Sequence, residues 1–255
     1  MTINEIAKAL ADAGIEDSSF EARILCDEFS GKELENALSR RIKREPLQYI
    51  IGKWPFFREE YFVSPDCLIP RSDTEILVEH LVKKAPEKAR FLDLCTGSGC
   101  IAISYAKNRP DSSGIAADIS EAALKMAKKN ALHNGVSNLD FIKADVTKPS
   151  AFAEKFDFIS ANPPYITSAA MEELAPELSH EPRIALHGGE DGMFFYRAIL
   201  KNYIKNLKNG GSFVFEFGYD QKDDAKEMAN EYSLSFLEIY DYGGNFRVAV
   251  LTKGE

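Results

Sequence analysis

The sequence predicts an α/β domain built on a parallel sheet, preceded by a small all-helical domain. Three observations carry this. From Ser72 onward short apolar runs alternate with helical repeats; the first 45 residues hold helical repeats only; and one apolar run ends in the small-residue turn of "FLDLCTGSGCIAIS", residues 91–104. Helices between short apolar strands imply parallel strands covered on both faces. Ligands of such sheets sit at the carboxyl ends of the strands.

Taking the elements in order, Thr2 with Glu5 and Ser18 with Glu21 have capping-box spacing ahead of the repeats Ile3, Ile6, Leu10 and Ala22, Leu25, Phe29. Gly31 reads as a helix stop, and Leu34, Leu38 and Ile42 form a third helix that Pro46 ends. Residues 54–69 read as a β-hairpin in which Arg58, Glu59 and Glu60 make a charged turn, its aromatics packing between the two domains. A third capping box, Ser72 with Glu75, opens the α/β part. Helices are expected at 72–84, 98–108, 120–133, 191–207 and 220–231, and strands at 90–95, 114–118, 139–143, 156–161, 211–217, 234–240 and 245–252. The expected domains are therefore 1–53 helical, 54–71 connector and 72–255 α/β.

Composition narrows the function classes. A formal net charge of −9 argues against holding long nucleic acid by phosphate neutralisation. The local cations Arg40, Arg41, Lys43, Arg44, Lys53 and Arg58 read either as a solvated helix end or as a dock for an RNA-rich or acidic partner. The amino terminus lacks the basic start and apolar stretch of a signal peptide, and no run approaches membrane-spanning length. Cys26, Cys67, Cys95 and Cys100 suggest neither a disulfide framework nor a metal site. A reducing cytoplasm fits best.

The turn at 95–99 is a Rossmann-like cofactor loop. Gly97, Gly99 and Ala102 satisfy the short dinucleotide pattern, and Asp118 ends the next strand where a ribose-binding acid belongs. Asp93 bears on the choice of ligand. A carboxylate there repels a pyrophosphate but suits the ammonium and sulfonium of S-adenosylmethionine. Asp118 is then an acceptor for ribose hydroxyls, and Asp145 and Val146, after the third strand, are placed for the adenine. Singly, Asp93 and Asp145 read equally well as turn or capping residues.

After the fourth strand comes "NPPY", Asn162 to Tyr165. It reads as a rigid turn, or as a holder for a planar nitrogen whose delocalised lone pair makes it a poor nucleophile. The Asn162 side-chain carbonyl and the Pro163 backbone carbonyl are paired acceptors for two N–H groups. Pro164 stiffens the pair, and Tyr165 offers a flat wall. An adenine amine poses the same problem as a glutamine amide. An adenine-N6 enzyme, though, should carry a recognition domain or a broad basic face. An NAD-dependent oxidoreductase has no use for this tetrapeptide.

The residues resemble the protein-(glutamine-N5) methyltransferases of the HemK/PrmC type, along nearly the whole chain. The likeness rests on "PLQYIIGKWPFF", "LIPRSDTEILVEHL", "FLDLCTGSGCIAI", "ADIS", "ANPPYI", "EPRIALHGGEDG" and "DYGGNFRV". It implies a seven-stranded S-adenosylmethionine-dependent domain and a helical domain that binds class 1 peptide chain release factors. The substrate so implied is the glutamine of their GGQ motif, with glutamine of a ribosomal protein as the rival. Cys95, Thr96, Gly97, Ser98, Gly99, Asp118 and Val146 contact the donor by the same analogy, and Asn162, Pro163, Pro164 and Tyr165 hold the amide. Two departures stand out. Cys95 occupies a position where many relatives have glycine, so negative φ is expected there. Ser72 occupies one where many have proline, and a serine cap is the expected replacement. The long excursion 166–190 reads as a lid or substrate wall whose order depends on ligand.

Overall fold

The structure is a computed structural model that describes residues 1–254. Four helices, α1 (Ile3–Asp12), α2 (Ser18–Glu28), α3 (Gly31–Ile42) and α4 (Leu47–Ile51), form the first unit around Ile6, Leu10, Ala22, Leu25, Leu38 and Ile50. The capping box at α1 is present: the Thr2 amide donates to Glu5 Oε2 at 2.7 Å and the Glu5 amide to Thr2 Oγ1 at 3.3 Å.

The other two expected boxes do not form. Ser18 is already inside α2, and Glu21 accepts from Arg41 Nε at 2.6 Å instead. Ser72 opens a 3₁₀ turn with no side-chain cap, and Glu75 Oε1 accepts from the Phe57 amide at 2.9 Å. In both cases a distant donor outcompeted the local one. Gly31 starts α3 rather than stopping α2. Pro46 caps α4, a helix the periodicity did not reveal, because its fixed φ suits a helix entry as well as an exit.

The hairpin pairs β1 (Lys53–Phe56) with β2 (Glu59–Phe62) around a Phe57–Arg58 turn. Glu59 is not in the turn: it is buried in β2 and accepts from Ser104 Oγ at 2.7 Å. Phe56 and Tyr61 pack into the sheet's core, whereas Trp54 packs against the helical unit.

Beyond it lie α5 (Glu75–Lys84), β3 (Arg90–Leu94), α6 (Cys100–Asn108), β4 (Ser113–Asp118), α7 (Glu121–His133), β5 (Leu139–Lys143), β6 (Phe156–Ala161), α8 (Phe194–Tyr203), β7 (Leu207–Glu216), α9 (Lys222–Glu231), β8 (Ser235–Tyr240) and β9 (Phe246–Thr252). They build a seven-stranded sheet ordered β5-β4-β3-β6-β7-β9-β8, in which β9 runs antiparallel to both neighbours. β7 begins four residues before the expected 211, at Leu207, because Leu207 pairs with Phe156 ahead of a register shift.

Alternation along β3 sends Leu92 and Leu94 into one core and Phe91 into the other, where its ring stacks on Phe158 at 5.1 Å and meets Tyr105 edge-on at 4.8 Å. Each such ring contributes about 1.5–3 kcal/mol by burial. β3 and β6 are parallel, but the strands that follow β3 are added on one side and those that follow β6 on the other, and this switch opens a crevice at their carboxyl ends. No helix is long and apolar enough to cross a membrane, among the described residues.

Candidate active site

That crevice holds two cavities that meet at Asn162. The first, about 300 Å³, lies over the carboxyl ends of β3, β4 and β5; Cys95 to Ser98, Asp118 to Ser120 and Ala144 to Thr147 line it. The turn after β3 is anchored on three sides. The Thr96 amide donates to the Ala117 carbonyl at 3.0 Å, the Gly97 amide to Asp118 Oδ2 at 2.9 Å, and Thr96 Oγ1 to Asp93 Oδ2 at 2.6 Å. Gly99 initiates α6 at φ +82°, and a Cβ there would lie 2.7 Å from Ile103 Cδ1 and 3.1 Å from Ala127 Cβ. Its role is to let α6 and α7 approach, behind the cavity and not in its lining. Cys95 contradicts the expectation of negative φ: it sits at +56°. The turn keeps the left-handed geometry that a glycine gives, and its three anchors hold a non-glycine residue there against a cost of about 1–2 kcal/mol.

Asp118 also accepts from the Ser120 amide at 2.9 Å, so two backbone donors fix its carboxyl in the wall, although desolvation raises its pKa. Asp145 accepts from both Thr147 Oγ1 and the Thr147 amide, which lowers its pKa, and Val146 presents an apolar face beside it.

Asp93 departs from its expected role. The period of two that buries Phe91 also turns Asp93 under α6, where it is wholly buried and does not line the cavity. Thr96 and Ser160 hydroxyls donate to its two oxygens at 2.6 and 2.7 Å. Burial pushes its pKa up to about 7 against these hydrogen bonds. It fastens the turn to β6.

The second cavity, about 470 Å³, lies between α3, α4 and the ends of β6 and β7. Asn162 lines both cavities; Pro164 lines the first and Tyr165 the second, while Pro163 is buried and lines neither. The Asn162 amide donates from Nδ2 to Thr74 Oγ1 at 3.3 Å, so its donor end is spent inside the protein and Oδ1 is left for the opening. Tyr165 is braced from behind. A Cβ on Gly192 would lie 2.3 Å from the Tyr165 carbonyl oxygen, and one on Gly188 would lie 2.6 Å from the Tyr165 Cα. Burial pushes the Tyr165 phenol up to about 12, so it is neutral.

Segment 166–190, expected as a lid or wall, contributes Ile184 and Ala185 to the first cavity and Glu177, Leu178 and Glu181 to the second. Glu177 Oε1 pairs with Arg41 Nη1 at 3.0 Å and with Arg44 Nε at 2.9 Å; Glu181 pairs with Arg71 and accepts from the Ile69 amide at 3.0 Å. Most of the local cations are paired within the protein, whereas Lys43 and Arg58 are exposed and have no acidic partner among the described residues. Arg40 is bound to Glu45, Arg41 is buried between Glu21 and Glu177, and Lys53 faces Glu60 at 3.3 Å.

A family profile described as "Methyltransferase small domain" matches residues 71–213, more than half of the chain. The chain is also 40% identical over 229 residues to a release factor glutamine methyltransferase of Thermodesulfovibrio yellowstonii, covering 87% of this chain and 81% of that protein. The chain belongs to the release factor glutamine methyltransferase family. Another member, from Fusobacterium nucleatum, is 38% identical across 91% of this chain and 67% of its own length. A methyltransferase of Pyrococcus furiosus shares the fold at a TM-score of 0.59, 18% identity, 76% of this chain and 89% of that one. A ribosomal protein L11 methylase of Lactobacillus delbrueckii shares it at 0.53, 21% identity, 72% and 80%.

Within this family frame, the structure brings Cys95, Thr96, Gly97, Ser98, Asp118, Asp145, Val146 and Asn162 to one cavity and leaves Asp93 and Gly99 behind it. Sequence reasoning missed Ile119, Phe194 and Phe195, which complete the apolar side of the first cavity, and Glu216, which lines the second. The last carried a signal. It is the sole charged residue in the otherwise apolar run "FVFEFG".

Proposed function

We propose that the chain transfers a methyl group from S-adenosylmethionine to the side-chain amide nitrogen of the GGQ glutamine of class 1 peptide chain release factors. The observation that carries this is the place of Asn162, in the wall shared by a cavity of cofactor type and a second one beneath the helical unit. Family membership supports the substrate. A translation factor as substrate fits cytoplasmic work.

The first cavity fits the donor. Ser98 lines it, its buried Oγ without a partner in the protein; Asp118 supplies a fixed acceptor, and Ile119, Val146 and Phe194 supply apolar surface for a base. When bound, the donor supplies an electrophilic methyl on a sulfonium. Cys95 to Ser98, Asp118, Asp145 and Val146 are the residues that hold it in this reading.

On the other side, Asn162 Oδ1 and the Pro163 carbonyl accept the two N–H groups of the glutamine amide and turn its lone pair toward the first cavity. Two prolines fix two φ angles, so these acceptors do not reorganise during reaction. Tyr165 restricts rotation of the amide plane. The proton leaves once the new N–C bond has begun to form, which relieves the need for a strong base before attack.

The test is to incubate the protein with methyl-labelled donor and, separately, a release factor, total ribosomal protein and DNA, then locate the methyl by mass spectrometry. Label on the GGQ glutamine is expected. Label on adenine or solely on a ribosomal protein overturns the reading.

A further inference from the structure

Glu216 ends β7 on the same face of the sheet as Val214, and parallel pairing of Ala161 with Phe215 sets Glu216 beside Asn162. The residue is 1% exposed and borders the second cavity, yet its Oε2 has no hydrogen-bond partner. A carboxyl is costly to bury, and an unpaired oxygen on it more so. Thr74 and Asn162 bring polar groups to it, and Thr74 Oγ1 is the acceptor of Asn162 Nδ2. Asn162, Thr74 and Glu216 thus form one buried polar cluster behind the opening between the cavities.

We propose that Glu216 is a positioning residue for methyl transfer: as a carboxylate it accepts from the Asn162 amide side, fixing Nδ2 inward and Oδ1 toward the substrate amide. The inference rests on the function proposed above and adds to it the group that decides which way Asn162 points. An ionised carboxyl is an acceptor only, so it excludes the flipped amide, which would set Oδ1 against it. Once protonated it becomes a donor and tolerates both orientations.

Burial pushes Glu216 up to about 7, with hydrogen bonding from Thr74 and the Arg247 charge opposing. The charged and titratable groups around it are Asp73 before α5, Cys100 on α6, Arg247 on β9, Tyr165 after β6 and Tyr196 on α8; burial raises the Cys100 thiol, which stays neutral. Arg247 is shared between Asp73 at 3.1 Å and Asp241 at 3.3 Å, so it does not neutralise Glu216. Tyr165 and Tyr196 stay neutral, as burial raises both. Transfer should therefore rise with pH as Glu216 ionises.

The experiment is a pH profile of kcat for the wild type, Glu216→Gln and Thr74→Val on a release factor substrate, with donor affinity and melting temperature measured alongside. Loss of a group that orients a directly acting one costs about 10–100-fold, and Glu216→Gln should lose kcat in that range. Both KM values should hold, and the acid limb near neutrality should disappear. Thr74→Val leaves Glu216 as the remaining inward acceptor, so its kcat should fall further below the wild type on the acid side of the limb than on the alkaline side. Unchanged kcat in Glu216→Gln, an acid limb that persists in it, or equal losses of kcat, donor affinity and melting temperature overturn the proposal. If Glu216→Gln does not fold, a pH-independent deficit in Thr74→Val overturns it. A wild type that never methylates the glutamine refutes the function itself, which is a separate outcome.

Discussion

The two cavities that meet at Asn162 are built by different means. The floor of the first is three short segments, 95–98, 118–120 and 144–147, each the immediate continuation of one strand and anchored to its neighbour, while residues 66–71, Ile184, Ala185, Phe194 and Phe195 close it from farther away in the sequence. The second is assembled from side chains far apart in sequence: Glu21, Arg41, Glu177, Glu181 and Glu216. Arg41 alone joins α2, α3 and the 166–190 segment through Glu21 and Glu177. On the proposed function, the anchored turns on the donor side are strand-end segments, and the surface for the protein substrate is one that only the complete fold assembles.

The division is cut most directly at the shared wall. Asn162→Ala removes one of the two acceptors proposed for the substrate amide and leaves the anchors of the first cavity in place. Loss of one preorganised hydrogen-bonding group at a reacting centre costs about 10²–10³ in kcat. We expect a fall of that size or greater, with binding of the donor product, S-adenosylhomocysteine, unchanged by calorimetry. An equal loss in binding would mean that the two cavities are one site.

The same division explains what was legible in the sequence. Parallel strands, the order of helices, the 95–99 turn and Asp118, Asp145 and Val146 follow from local pattern, because each is decided by neighbours within a few residues. Ser18 and Ser72 misled because capping boxes are also local readings, and here Arg41 and the Phe57 amide, distant in sequence, took the partner glutamates. Asp93 misled for a subtler reason. Its position at a strand end was right, but the face it points to depends on strand alternation, and that puts it under α6. Arg41 and Arg44 looked like surface cations because their acids, Glu21 and Glu177, lie far away in sequence. The φ of Cys95 was misjudged because residue type was taken to decide it, when the anchored turn does.

A milder cut falls on the long-range side. Glu177→Gln removes the charge that Arg41 and Arg44 share and leaves Arg41 paired with Glu21. Glu177 is about a quarter exposed, so solvent screens the pair, and such pairs contribute roughly 1 kcal/mol at most. That corresponds to about a fivefold rise in KM for the release factor. Steady-state kinetics should show this rise with kcat and donor affinity intact. A matching loss in donor affinity would show that the 166–190 segment, which lines both cavities, transmits the loss of the Glu177 pair to the first.

The last cut probes the buried carboxyl on the local side. Asp93 has its folded pKa raised from the ordinary 3.8 to about 7. A carboxyl shifted upward favours folding fully below its unfolded pKa and loses that contribution as pH rises through the folded one. Between about pH 6 and about pH 8.5 the loss is on the order of 1 kcal/mol for one such group. Glu216, raised in the same direction, adds a loss of the same sign. Asp93→Asn carries no proton to lose, and its amide keeps an acceptor and gains a donor for the Thr96 and Ser160 hydroxyls. Urea unfolding at the two pH values should therefore show the variant losing about half as much stability as the wild type. Equal losses would mean that Asp93 is already ionised in the fold at pH 6, so that the turn is held by charge-assisted bonds and the burial of the carboxyl is compensated by those two hydroxyls alone.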